Sequence, residues 1–246
     1  MGDKIRQHPA PLTNAKGAFS DSLGEFVSLG MLWHSKKMQL WIDQKNAKNW
    51  QPGTIDMVRD KTLGIFGYGD IGYNCAKVAK NGFGTKVIGM RRDPSKTTKE
   101  GMSVVDECWG FDRLDDFLAE CDYIVNCAPL TGTTKGMWNK EAFGKMKKDA
   151  VFMNIGRGPS VNEMDLYHAL CDGSIGGAVL DVFAVEPLPK ESLLWDAPNL
   201  FMTPHCADIT WDYHERSFQI FADNILRYKE GGVGNLKNLV DKNLGY

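Results

Sequence analysis

Three groups of residues in this 246-residue chain could do chemistry. The first is Gly67-Tyr68-Gly69-Asp70-Ile71-Gly72, with its glycines in G-x-G-x-x-G spacing. Gly67 permits a tight turn, Gly69 lets the backbone approach a pyrophosphate, and Gly72 lets a following helix lie close to the preceding strand. The second is Arg157, held between Gly156 and Gly158, where a guanidinium could reach a carboxylate with a two-pronged hydrogen bond. The third pairs His205, whose backbone direction is restricted by the preceding Thr203-Pro204, with Glu186 in the loop Val185-Glu186-Pro187. Taken singly, each has a bland alternative: an ordinary glycine turn, a surface salt bridge, a structural histidine, a carboxylate facing water. Position decides between the readings.

The glycine turn follows an apolar run, Leu63 to Phe66, long enough for a buried strand. Tyr73 to Asn81 carries helix formers, and Lys86 to Met90 is a second apolar strand. Strand, turn, helix and strand within about 30 residues are the context that confirms a dinucleotide site. A helix N-terminus there offers free N–H groups and a positive dipole end to phosphates. The alternation then continues. Helices are predicted over Phe111 to Glu120 and Lys140 to Met146, with a third running from an Asn162 cap to Cys171 and closed by Gly173. Strands are predicted over Tyr123 to Cys127, Ala150 to Asn154, Ala178 to Val182 and Leu200 to Thr203. Strands separated by helices imply right-handed crossovers, so the expected fold is α/β, a doubly wound parallel (Rossmann) sheet with flanking helices. In such a sheet ligands sit at the carboxyl ends of the strands, and the Gly67 turn, Pro129, Arg157, Asp181 and His205 all fall there.

Outside that unit, residues 1 to 15 read as irregular, and Phe19 to Trp41 as one amphipathic helix with Ser20 or Asp21 as its cap. Lys45 to Gly53 reads as a linker, and Thr210 to Lys229 as a closing helix. The expected division is a leading segment of 1–55, a dinucleotide-binding domain of 56–206, and a C-terminal helical segment of 207–246. With 43% hydrophobic residues the chain can bury one sizeable core. A net charge of −2 gives no electrostatic reason to expect nucleic acid or an anionic membrane. No apolar run approaches the ~20 residues that span a bilayer, and the start has no apolar signal core. Six cysteines without a metal-like cluster read as reduced, buried residues of a cytoplasmic protein, and no metal site is expected.

Arg, Glu and His in that chain order after a dinucleotide unit make a family resemblance specific. The chain resembles the NAD-binding lobe of the D-isomer-specific 2-hydroxyacid dehydrogenases. TLGIFGYGDIG, APLTGTTKG (from Ala128), VFMNIGRG (from Val151), GGAVLDVFAVEPLP (from Gly176) and LWDAPNLFMTPH (from Leu194) carry the resemblance, and NAKGAFSDSLGEFV resembles the helix leading into that lobe. The resemblance implies that Arg157 binds a substrate carboxylate and polarises its keto oxygen. His205 would be the general acid in reduction, and Glu186 would hydrogen-bond its imidazole and favour the charged form. Asp181 would contact the nicotinamide carboxamide, Pro129 and Thr134 would line the nicotinamide-side ribose, and Asp70 and Ile71 would sit over the pyrophosphate. A loop cap remains an alternative for Asp181, and a turn former for Thr134.

Two features depart from the family pattern. Where an acidic residue would bind the adenosine ribose, the second strand ends in Arg91-Arg92, which suits a 2′-phosphate and implies NADP(H) over NAD(H), with Asp93 nearby. The family's N-terminal substrate lobe is not recognisable, so reduced turnover is expected, and Phe19 to Trp41 is a candidate exposed patch or dimer contact. The expected function is a 2-oxoacid reductase of the glyoxylate or hydroxypyruvate type, acting on a small acid as a cytoplasmic homodimer. The alternative is a truncated, non-catalytic NAD(P)-binding module or a co-repressor-like interaction protein. A formate or phosphite branch is disfavoured, because formate users generally pair the histidine with Gln.

Overall fold

The computed structural model describes residues 2–243. A short helix, α1 (Asp3–Gln7), precedes α2 (Ser20–Ser35) and α3 (Met38–Asn46). The single helix expected over Phe19 to Trp41 is therefore two, broken where Lys37 takes a left-handed φ of 52°. Strand β1 (Thr62–Phe66) leads through α4 (Asp70–Val78) to β2 (Lys86–Met90). Helix α4 starts earlier than expected and gives way to a wider π-helical turn over Ala79–Phe83. There follow α5 (Lys99–Ser103), β3 (Glu107–Trp109), α6 (Leu114–Glu120), β4 (Tyr123–Asn126), α7 (Lys140–Lys145) and β5 (Val151–Asn154). The chain continues through α8 (Glu163–Cys171), capped by the Asn162 side chain as expected, then β6 (Gly177–Leu180), β7 (Leu200–Met202) and α9 (Tyr213–Gly231).

The seven strands form one parallel sheet in the order β3-β2-β1-β4-β5-β6-β7. Sequence order reverses between β1 and β4, the crevice where a doubly wound sheet receives its ligand. Strand β3, a short half-buried edge, has no apolar run to announce it. Pairing places Trp109, Met90, Phe66, Asn126, Asn154, Leu180 and Met202 in a single row across the sheet. Each expected site segment begins just past that row.

Alternation along the strands sends side chains to two cores, one on each face. Phe66, Phe117, Ile124, Trp138, Phe143 and Phe152 fill one face. Leu63, Ile65, Val125, Met153 and Val179 meet Leu23, Phe26, Val27 and Met31 of α2 on the other. The apolar stripe of α2 therefore has a partner, and it is the sheet. Leu29 of α2 is exposed on its other side, as are Met38, Leu40, Trp50, Ile55 and Met57 beyond it. Cys75 and Cys121 are buried, but Cys171 and Cys206 are exposed, contrary to the expectation of uniformly buried thiols. The thiols expected inside elements fail that test where α8 turns outward at its end and where the chain leaves β7.

The chain forms two compact units. One is Asp21–Ala207, which holds the whole sheet. The other joins the residues up to Ser20 with those from Asp208 onward. Within this smaller unit Thr13 bridges Leu239 and Phe19 stacks on Tyr213 at 4.4 Å, so residues expected to be irregular are paired. Among the described residues, no helix is long and apolar enough to cross a membrane.

Candidate active site

The glycine turn is built as its spacing requires. Gly67 has a φ of 91°, and its N–H and that of Tyr68 both donate to the Met90 carbonyl at 2.9 and 2.8 Å. A Cβ on Gly67 would lie 2.5 Å from the Ala128 nitrogen, so the β1 turn is pressed against the chain leaving β4. Gly72 packs its α-carbon against Ile65, where a Cβ would come within 2.9 Å. Gly69 differs: a Cβ there would meet nothing nearer than 3.9 Å. The protein's own packing does not demand glycine at this exposed position, whereas a diphosphate lying on the turn would. Helix α4 begins at Asp70 and Ile71 with no side chain capping it, so its dipole end is presented at the same turn.

At the end of β2, Arg91 donates to the Lys96 carbonyl at 3.2 Å and approaches the Thr97 hydroxyl at 3.5 Å. Arg92 is exposed beside it. Asp93 is turned back into its own loop, where it accepts from the Ser95 hydroxyl at 2.6 Å and the Ser95 N–H at 3.1 Å. Those bonds, chiefly the hydroxyl's, hold its carboxyl below the ordinary value. Two arginines therefore stand at the end of β2, and the neighbouring carboxylate is occupied.

Arg157, Glu186 and His205 follow three different strands, and Glu186 and His205 meet. His205 Nδ1 lies 2.7 Å from Glu186 Oε2, and Glu186 Oε1 accepts the Phe183 N–H at 2.9 Å. Partial burial acts to raise the Glu186 carboxyl, but the His205 bond, the Phe183 N–H and the charges of His205 and Arg157 outweigh it and hold it below its usual range. The Arg157 side chain is exposed, and its Nη1 donates to the Gly156 carbonyl at 2.6 Å. Gly158 explains the approach: a Cβ there would fall 1.8 Å from the Phe183 carbonyl oxygen, so the turn after β5 lies directly on the loop after β6. His205 itself has a left-handed φ of 52°, a conformation that costs about 1 kcal/mol or more and persists only where its surroundings enforce it.

Comparison with known proteins gives a consistent answer. Residues 29–207 match the model of the D-isomer specific 2-hydroxyacid dehydrogenase NAD binding domain. Glyoxylate/hydroxypyruvate reductase B of Yersinia enterocolitica is 33% identical over 239 residues, covering 94% of this chain and 71% of that protein. The chain belongs to the D-isomer-specific 2-hydroxyacid dehydrogenase family. Among solved structures, the NADPH-dependent glyoxylate/hydroxypyruvate reductase of Sinorhizobium meliloti, in complex with NADP and sulfate, matches with a TM-score of 0.87 and 33% identity over 98% of this chain and 74% of its own. A D-isomer specific 2-hydroxyacid dehydrogenase from Xanthobacter autotrophicus Py2, in complex with NADPH and MES, matches with a TM-score of 0.85 and 31% identity over 99% of each chain.

In this dehydrogenase-family chain the remaining expected contacts are arranged differently from the trio. Pro129 is exposed on the rim. Thr134 is 5% exposed and donates to the Pro129 carbonyl at 2.7 Å, while accepting the Thr131 N–H at 2.8 Å, so its hydroxyl is spent shaping that loop. Asp181 is 3% exposed, and its carboxylate accepts from the Thr203 hydroxyl at 2.6 Å and the Cys206 and Ala207 N–H groups at 2.9 and 3.2 Å. It straps the loop on both sides of His205, which is the enforcement that the strained backbone needs. Three polar residues went unnoticed in the sequence: Asn126, Asn154 and Ser160, each 1% exposed or less. The available signal was an asparagine closing two otherwise apolar strand runs.

Proposed function

We propose that the chain is an NADPH-preferring reductase of short 2-oxo acids, of the glyoxylate or hydroxypyruvate type. The observation that carries this reading is the 2.7 Å contact of His205 Nδ1 with Glu186 Oε2, with Arg157 beside them on the rim. The residues fit the coenzyme: Gly67, Gly69, Asp70, Ile71 and Gly72 would hold its pyrophosphate, and Arg91 and Arg92 its 2′-phosphate. Pro129 would line its nicotinamide end, with Thr134 shaping that loop and Asp181 bracing the loop that carries His205. When bound, NADPH supplies the hydride; the protein supplies position and field.

The rest is the work of the chain's own side chains. Arg157 offers a planar fork that binds a carboxylate with two parallel hydrogen bonds and orients the adjacent keto carbon. Its positive charge also draws electron density onto the keto oxygen. With Nδ1 committed to Glu186, the His205 imidazole has Nε2 left to hand a proton to that oxygen as it becomes a hydroxyl. In the reverse direction the same nitrogen accepts the proton. Glu186 fixes the ring's orientation and stabilises its cationic form during transfer. The names of the Yersinia and Sinorhizobium relatives support the substrate class, and the complexes with NADP and NADPH support the coenzyme.

Initial rates of NADPH oxidation with glyoxylate, hydroxypyruvate and glycolaldehyde test the reading. The two acids are expected to turn over. Glycolaldehyde, which lacks the carboxylate, is expected to have a kcat/KM lower by roughly 100-fold, because it forgoes the charge-assisted bonds to Arg157. Equal rates on the aldehyde, or none on either acid, would overturn the assignment.

A further inference from the structure

The side chains of Asn126, Asn154 and Ser160 sit at the carboxyl ends of β4 and β5 and in the turn that follows, and all three are buried. Asn126 and Asn154 are register partners across the two strands. Asn126 Nδ2 donates one hydrogen to Asn154 Oδ1 and the other to Ser160 Oγ, both at 2.9 Å. Asn126 Oδ1 accepts the Ala128 N–H at 3.2 Å, and Asn154 Oδ1 accepts the Gly156 N–H at 3.1 Å. Three donors then converge on the carbonyl oxygen of Arg157: Asn154 Nδ2 at 3.2 Å, Ser160 Oγ at 2.6 Å and the Ser160 N–H at 3.2 Å. Both hydrogens of the Asn126 amide and one of the Asn154 amide are used.

We propose that Asn126, Asn154 and Ser160 are a positioning unit that locks the backbone of Arg157 to the Ala128–Pro129 turn, so that the carboxylate grip and the nicotinamide-side loop move as one frame. This rests on the reading of Arg157 given above. The strands that carry the two asparagines are otherwise wholly buried and apolar, and the two side chains serve backbone groups of the turns that follow: the Ala128 and Gly156 N–H groups and the Arg157 carbonyl. A buried polar network gives what an apolar contact does not, a preferred arrangement of the groups it joins. Its reach is long. Ala128, held by Asn126, is also the residue against which the Gly67 turn is pressed, and Arg157 is the residue ahead of the Gly158 contact with the Glu186 loop. One buried cluster therefore ties together the phosphate turn, the nicotinamide-side loop and the substrate-side arginine. Hydride transfer demands such a relation, since a displacement of about 1 Å between reacting groups can cost roughly a hundredfold in rate.

The test is Ser160→Ala and Asn154→Ala, each cutting one side-chain bond to the Arg157 carbonyl, measured alone and combined with Arg157→Lys. Glyoxylate KM and kcat, NADPH Kd by fluorescence titration, and the thermal midpoint are read for each. Each single variant is expected to raise glyoxylate KM about tenfold with NADPH Kd changed less than about twofold. In the Arg157→Lys background, adding Ser160→Ala is expected to change kcat/KM by less than about twofold, because both act through one group. A lowered midpoint with glyoxylate KM unchanged, or effects that multiply independently with Arg157→Lys, would overturn the proposal. If Arg157→Lys itself leaves glyoxylate kcat/KM unchanged, the reading of Arg157 falls and the proposal with it. Should Ser160→Ala fail to fold, Asn154→Ala is judged by the same criteria.

Discussion

Glu186 shows how a single side chain links the loop after β6 to the one after β7. Its carboxylate takes one hydrogen bond from the Phe183 backbone and one from the His205 ring, so it fixes both its own loop and the imidazole. Glu186→Gln keeps the shape and removes the charge. It is expected to lower glyoxylate kcat/KM roughly a hundredfold while leaving NADPH Kd within about twofold. The same carboxyl is held below its ordinary value, which gives a pH dependence with a definite sign. A depressed folded-state value contributes stability above the unfolded value, about 4.3 for glutamate, and loses it as the pH falls through the folded value. The advantage in thermal midpoint of wild type over Glu186→Gln is therefore expected to be constant above about pH 5 and to shrink below it. An advantage that grew on acidification would contradict this assignment of charge.

At the scale of elements, Gly67 and Gly69 of the β1–α4 turn should behave oppositely. A Cβ at Gly67 meets the Ala128 backbone at a φ that disfavours any side chain, so Gly67→Ala is expected to destabilise the fold by about 3 kcal/mol in denaturant titration. Gly69→Ala meets no protein atom closer than 3.9 Å, and is expected to keep the wild-type midpoint while weakening NADPH by about tenfold or more. Equal loss of stability in both would show the turn to be a packing feature alone. This turn, and the parallel alternation that sets it at the sheet's edge, were legible in the sequence because strand, glycine spacing and helix follow one another closely. Arg157, Glu186 and His205 were legible as a set only through family resemblance, and β3 and the Lys37 break had no local signal. The Asn126–Asn154–Ser160 cluster was illegible for a physical reason: its partners lie 28 and 34 positions apart and meet only when β4 and β5 pair. Gly158 escaped likewise, because the Phe183 carbonyl that forbids a side chain there comes from another loop.

On the scale of the whole molecule, coenzyme binding and folding are coupled. The turn that would hold the phosphates joins β1 to the rest of the sheet, and the row from Trp109 to Met202 aligns every strand end that contributes to the site. A ligand that binds only the folded state at about 100 times its Kd adds about 2.7 kcal/mol. For a chain of this size that corresponds to a rise of about 5–10 °C in thermal midpoint. At equal concentration NADPH is expected to raise the midpoint more than NADH, because the proposal gives Arg91 and Arg92 the 2′-phosphate and Asp93 is held by Ser95. A larger shift with NADH would reverse the coenzyme assignment.

The most direct test is the turnover of glyoxylate at saturating NADPH by the wild-type chain and by His205→Ala, side by side. The account predicts that the variant binds NADPH as tightly as wild type and loses at least about a hundredfold in kcat. Equal rates in the two chains, or NADPH bound by both with glyoxylate reduced by neither, would contradict it.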